Sequence, residues 1–372
     1  MLETGFTGTL SYRTQPRGKH ENTRRPKSDR SSAREGSGAT MLDHARVDQA
    51  VVARAPLRIP LGGGGTDLPS HYREHGGFAV SAAIDRHVHV LLSTAFARRF
   101  RLKHLEWEEV EDPAEIKHPI LSAAVAHHWD GTPFELASVG DVPPGTGLGS
   151  SSAYTVCVLR ALATARGEQL APEELAARAC RLEIEHLDQS IGERDQYATA
   201  LGGVTALTFA RDGAVDVHEL RLSESAIAGL RDRFLLFFTG ERSAGSRMLS
   251  KLVEGSGDAR MTRNLVRTGE VAREVVAAFE GDDLARVGDL MDEQWALKLE
   301  RTPEAITERI AELRAVALDG AVGGAVLAGA GGGGFLLVYS EDPEATRAAM
   351  SGAGAPELRF SVEPRGCTAG PA

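Results

Sequence analysis

Residues Pro143 to Ala153 read PPGTGLGSSSA, and no other stretch constrains the chain as strongly. Gly145, Gly147 and Gly149 alternate, so the backbone is free to adopt positive φ and to approach another group closely. Ser150, Ser151 and Ser152 follow at once, with a serine expected at the N-cap of a helix that runs to Arg166. A helix start presents N–H groups without partners and a partial positive charge, which suits a polyphosphate. The segment Pro144–Ser152, Leu148 included, is therefore the expected phosphate-binding loop, with the serine hydroxyls in reach of phosphate oxygens or a bridging Mg²⁺. A bare strand-to-helix turn is the alternative. Two familiar phosphate loops are excluded: no Lys follows the last glycine, and Ser150 stands where GxGxxG needs its third glycine.

The formal net charge of −10 argues against a nucleic-acid or anionic-membrane partner. Cys157, Cys180 and Cys367 show no CxxC spacing, which fits a reduced, cytoplasmic protein and gives no cysteine metal site. No apolar run approaches the roughly 20 residues that span a bilayer. Residues 1–45 differ from the rest. In the first 40, eight basic residues face four acidic ones and large apolar side chains are almost absent, so a disordered basic tail is expected. Met41 is the plainer start of the folded part.

Beyond the tail the pattern predicts strands over 50–58 and 79–92, separated by the loop GGGGTD (62–67). A strand over 134–142 leads into the glycine–serine loop. An amphipathic helix over 172–187, a loop over 192–197 and a strand over 204–210 complete a domain of residues 46–230. A second domain, 231–365, is expected to carry strands at 234–240, 335–339 and 357–362. Its helices are expected over 244–280, 284–299, 303–317 and 343–351, with a glycine run at 329–334.

Three blocks in order resemble the galactokinase, homoserine kinase, mevalonate kinase and phosphomevalonate kinase (GHMP) superfamily: APLRIPLGGGGTDLP (55–69), PPGTGLGSSSA and AGAGGGGFLLVY (328–339). The resemblance implies an α+β, two-domain fold with a ribosomal-protein-S5-like α/β N-terminal domain and a ferredoxin-like C-terminal domain. It implies an ATP- and Mg²⁺-dependent phosphotransferase. A phosphoryl-transfer site must hold phosphates, neutralise them and aim an acceptor hydroxyl. Asp195, in a loop of IGERDQYATALGG, is the expected base or orienting acid, and Arg58 stands where the family places an Arg near the reacting phosphate. Ser150 and Glu185, with Glu183 as the alternative, are the implied Mg²⁺ ligands. Gly64, Gly65, Thr66, Asp67 and His71 of the first block, and Gly331 and Gly332 of the third, are the expected acceptor contacts.

Within the superfamily, the first block, SAAIDRHVHV, IGERDQYATALGGV, FTGERSAGS (238–246) and DEQWALKLERTP (292–303) resemble bacterial D-glycero-D-manno-heptose 7-phosphate kinases. The implied acceptor is a small sugar phosphate, phosphorylated at C1. His71, Arg73, Arg86 and Lys298 are the candidate cations for its phosphate. A kinase of an unphosphorylated sugar and a non-catalytic sensor on the same fold are the competing readings. The number of subunits is left open between monomer and homodimer.

Overall fold

The computed structural model describes residues 50–372 apart from 95, 243–247, 249, 251, 254, 256 and 320–322. The expected tail over 1–45, the choice between Met1 and Met41, the start of the helix expected at 244 and part of FTGERSAGS lie outside the described residues.

Eight strands form the first sheet: β1 (Val51–Gly62), β2 (Gly77–Ser93), β3 (Phe100–Lys103), β4 (Trp107–Val110), β5 (Glu135–Gly140), β6 (Val204–Phe209), β7 (Val215–Glu219) and, from the end of the chain, the Thr368–Pro371 strand. β2, at 17 residues, is the spine. It pairs along its length with β1, through its second half with β5 and through its first half with β6, antiparallel in each case. The Thr368–Pro371 strand runs antiparallel on the far side of β1, so the chain's last described strand closes onto its first. β1 carries Pro56 and Pro60 beyond Val51–Arg54, the stretch that pairs with the Thr368–Pro371 strand. The pairing with β2 shifts register at both places, which is where a strand tolerates a residue with no N–H to give.

One face of this sheet is covered by the buried helix Ser150–Ala165, whose side chains from Ser152 to Ala165 are almost all inaccessible. Its mostly apolar circumference is that of a helix packed on several sides. The second sheet is β8 (Phe234–Phe238), β9 (Gly323–Leu327) and β10 (Phe335–Ser340), antiparallel in the order β8–β10–β9. The helices Ala259–Glu280, Leu284–Arg301, Glu308–Leu318 and Pro343–Gly352 accompany it. The apolar residues of both sheets belong to one continuous core.

The strand expected over 357–362 does not form. The segment bonds first to β8, where Leu358 N donates to Leu236 O, and then to β2, where Glu363 N donates to Ala83 O. Passing between the two sheets, it continues neither ladder and leaves only the isolated bridges Phe237–Glu357 and Ile84–Val362. The helix expected over 172–187 is also divided. It is α-helical over Pro172–Cys180 and π-helical over Arg181–His186. No helix among the described residues is long and apolar enough to cross a membrane.

Candidate active site

A cleft of about 420 Å³ runs between the two sheets. One wall is the start of the Ser150–Ala165 helix. Its cap residue is Gly149, at φ +75°, rather than a serine, so Ser150, Ser151 and Ser152 form the first turn. The first intrahelical bond is donated by Ala153 to Gly149, which leaves the three serine N–H groups without helical partners. Gly145, Gly147, Gly149 and the three serines all line the cleft. Pro144 and Leu148 do not: Pro144 is exposed, and Leu148 is fully buried with its carbonyl accepting the N–H of Arg58. Leu148 thus anchors the loop from below.

The glycine run at 329–334 closes over this loop backbone to backbone. A Cβ on Gly147, whose φ is +82°, would stand 2.4 Å from the carbonyl oxygen of Ala328. Gly329 and Ala330 reach the cleft. Gly331 and Gly332, expected as acceptor contacts, turn away from it. A Cβ on Gly331 would meet Ala305, and Gly332 N donates to Ala305 O at 2.8 Å.

Against the glycine–serine loop, Arg58 from β1 and Asp195 form a two-pronged ion pair. Arg58 Nε donates to Oδ1 at 2.7 Å and Nη2 to Oδ2, while Nη1 donates to Gly147 O at 2.6 Å. Arg58 is 3% exposed, and the Asp195 side chain is 23% exposed on the cleft side. The expected loop at Asp195 is instead the first turn of the helix Arg194–Leu201. Burial alone would raise the Asp195 pKa, but the Arg58 and Arg194 guanidiniums hold it well below the usual carboxylate range. The helix N-terminus favours the same ionised form.

Asp67 is 6% exposed, and its carboxylate accepts Gly65 N–H at 3.0 Å and Arg194 N–H at 3.3 Å. It lines the cleft with Gly64 and Gly65 and ties the GGGGTD loop to the Asp195 helix. Thr66 does not reach the cleft. It is buried, and its hydroxyl lies 2.8 Å from the carbonyls of both Gly63 and Phe78, pinning the loop to β2.

Glu183, not Glu185, is the carboxylate at this cleft. Glu183 is fully buried, and Glu185 is exposed. The π-helical turn at 181–186 holds an extra residue, so a side chain placed by regular helical spacing lands on the wrong face. Glu183 accepts from Thr155 Oγ1 at 3.0 Å, Ser151 Oγ at 3.4 Å and Gln196 Nε2 at 2.7 Å. No cation pairs with it among the described residues. Burial pushes its pKa up to about 7, against the pull of these hydrogen bonds. A buried carboxyl beside serine hydroxyls, without a positive partner, is a donor set that fits a hard divalent cation.

Of the four cations expected to meet a substrate phosphate, only Lys298 lines the cleft. Arg73 is exposed on the short helix Pro69–His75. Arg86 pairs with Asp85 and borders a separate groove with Arg347 and Arg359. His71 is 4% exposed, outside the cleft lining, and burial and His75 lower its pKa to about 4. It is a neutral core histidine and not an anion ligand. Because the folded pKa lies below the ordinary 6.5, the stability linked to His71 is present above pH 6.5 and is lost as pH falls towards 4. His71→Gln is expected to remove that slope, on the order of 2–3 kcal/mol at most. Urea unfolding of both proteins at pH 7 and pH 4 measures it.

With this geometry in place, the likeness to known proteins is informative. The sequence model described as the GHMP kinases N terminal domain matches residues 118–203, and the model of the GHMP kinases C terminal matches residues 275–355. The first contains the glycine–serine loop, Glu183 and Asp195; the second contains Lys298, Arg301 and the glycine run. The chain carries the N- and the C-terminal domain of the GHMP kinases. It is 25% identical over 298 residues to D-glycero-alpha-D-manno-heptose 7-phosphate kinase of Campylobacter jejuni, covering 77% of this chain and 88% of that protein. It is 26% identical over 315 residues to the bifunctional fucokinase/GDP-fucose pyrophosphorylase of Arabidopsis thaliana, covering 78% of this chain but 30% of that longer protein. The structure of a D-glycero-D-manno-heptose 1-phosphate kinase from Bacteroides thetaiotaomicron superposes with a TM-score of 0.72 at 20% identity, over 87% of this chain and 99% of that one.

The chain is thus a phosphotransferase with an alcohol group as acceptor, of the sugar-kinase class. Its cleft also holds residues that sequence reasoning passed over. Arg301 lies three positions after Lys298 in DEQWALKLER, on the same helical face, and lines the cleft beside it. Arg194 lines it too, although only its neighbour Asp195 was singled out as catalytic.

Proposed function

We propose that this kinase transfers the γ-phosphoryl group of ATP to the anomeric C1 hydroxyl of D-glycero-D-manno-heptose 7-phosphate. The product is the 1,7-bisphosphate, a precursor for nucleotide-activated heptose, and the setting is cytoplasmic. The observation that carries the reading is the placement of the Arg58–Asp195 pair. The pair is bonded to the phosphate loop through Gly147 and lines one cleft with Ser150–Ser152, whose N–H groups lack helical partners, and with Gly64, Gly65 and Asp67. The similarity to the Campylobacter jejuni kinase supports the acceptor. Residues 46–230 and 231–365 are read as the kinase's two domains.

In this reading the backbone from Gly145 to Gly149 and the N–H groups of Ser150–Ser152 grip the donor phosphates. Ser150 and Glu183 are the residues that would hold Mg²⁺, which when bound neutralises charge on the phosphates. Asp67 orients the sugar hydroxyls from the loop it caps. Asp195 accepts a hydrogen bond from the attacking hydroxyl. Kept ionised by Arg58 and Arg194, it is a weak base, so it aims and polarises the hydroxyl early and takes its proton late. That order suits a loose transition state, in which the acceptor oxygen bonds little before the leaving group departs. Arg58 keeps Asp195 in place and ties it to Gly147 of the phosphate loop.

A panel of acceptors assayed with ATP and Mg²⁺ tests the proposal. Heptose 7-phosphate is expected to give the highest kcat/KM. Turnover of fucose or another free sugar without turnover of heptose 7-phosphate would assign the enzyme to the fucokinase-like reading.

A further inference from the structure

The acceptor end of the cleft carries more positive charge than its own acids answer. Asp195 is taken up by Arg58 and Arg194, and Asp67 by the backbone of Gly65 and Arg194. Neither Lys298 nor Arg301 has a carboxylate within ion-pair distance among the described residues. Among the described residues Arg301 donates to neutral acceptors alone: Asn264 Oδ1 at 3.2 Å, Thr268 Oγ1 at 3.0 Å and Gly64 O at 3.0 Å. Arg194 is 7% exposed, and its buried Nη1 has no hydrogen-bond partner among the described residues. Buried cations without counter-charge are costly, and a fold that keeps them has an anion to receive.

Position divides these cations between the two substrates. Lys298 donates to Leu327 O and Gly329 O, and Gly329 packs on Gly147, so it stands at the nucleotide end. Arg301 grips the carbonyl of Gly64 in the acceptor loop. Arg194 Nη1 comes within 3.3 Å of where a Cβ on Gly64 would stand. Gly64 is therefore a bare strip of backbone between two guanidinium groups. We propose that Arg301 and Arg194, on either side of Gly64, form the subsite for a phosphate that the acceptor already bears. A planar fork of donors matches phosphate oxygens better than an ammonium does. Burial lowers the Arg301 pKa to about 10; the Asp67 carboxylate opposes this, and Arg194, more weakly, adds to it. A bound phosphate would supply counter-charge to a guanidinium that burial makes costly to leave unpaired.

The inference rests on the sugar-kinase reading but not on heptose as the sugar. Its test compares kcat/KM for heptose 7-phosphate and mannose 6-phosphate with that for the two free sugars, in the parent enzyme, Arg301→Gln and Arg301→Lys. The parent is expected to prefer the phosphorylated member of at least one pair by about 100-fold. Arg301→Gln is expected to shrink that preference about 10- to 100-fold, through the acceptor KM, with the KM for ATP little changed. Arg301→Lys, which keeps the charge and loses the fork, falls between, and it decides the matter if Arg301→Gln does not fold. A purely structural Arg301 would lower turnover of both members of a pair equally. Use of mannose 6-phosphate but not heptose 7-phosphate would uphold the subsite and overturn the proposed substrate. A parent enzyme indifferent to the phosphate, a preference that survives Arg301→Gln and Arg301→Lys, or a loss falling on ATP instead would overturn the subsite.

Discussion

Asp195→Asn is expected to lower kcat by about 10²- to 10⁴-fold, the usual range for a positioned proton acceptor. The KM for ATP should hardly change, because the donor is gripped by the backbone of the glycine–serine loop and not by the Asp195 carboxylate. Asn keeps the shape and one acceptor oxygen but removes the charge that two buried guanidiniums face. Leaving Arg58 uncompensated is expected to cost about 3–5 kcal/mol of stability, so the two effects must be separated. The double variant Arg58→Met, Asp195→Asn removes the orphaned cation. It should recover part of the stability and none of the turnover. Turnover of Asp195→Asn within tenfold of the parent, in protein shown by circular dichroism to be folded, would remove Asp195 from the chemistry.

Gly147→Ala is expected to damage nucleotide binding severely, although it adds a single methyl group. Residue 147 sits at φ +82°, where an L side chain costs roughly 1–2 kcal/mol. The added Cβ would lie 2.4 Å from a backbone oxygen of Ala328, which no rotamer change relieves. The loop and the 329–334 run must then part, and Gly147 O carries one of the Arg58 bonds. Displacement of about 1 Å in a phosphoryl-transfer site is worth about 10²-fold in rate. The expected result is a loss of that order in kcat/KM for ATP, with a lowered melting temperature. Gly213→Ala, also at positive φ but with nothing within 4 Å of the new methyl, serves as the control. It should retain full activity.

Much of this site could be read from the sequence because its chemistry is local. Alternating glycines before three serines specify a loop and a helix start wherever they occur, and the long β2 and the buried Ser150–Ala165 helix follow the apolar pattern. What was not legible depends on phase and on distance. A π-helical turn invisible to helical periodicity placed Glu183 at the cleft in place of Glu185. Proximity in sequence to GGGGTD suggested His71 and Arg73 as phosphate ligands, yet the residues that meet that loop come from 194 and 301. Residues 357–362 have strand-like letters, but strand assignment needs one partner along the whole segment, and this one changes partners midway. Gly331 and Gly332 belong to the right glycine run and face Ala305 rather than the cleft.

Phosphorus NMR of the purified enzyme with ATP, Mg²⁺ and D-glycero-D-manno-heptose 7-phosphate tests the proposed transfer at the atom concerned. ADP and one new sugar-phosphate signal, coupled to the anomeric proton, are expected to grow in equal amounts. Phosphate appearing on any other oxygen of the heptose, or no transfer to this acceptor while a free sugar is phosphorylated, would contradict the proposal.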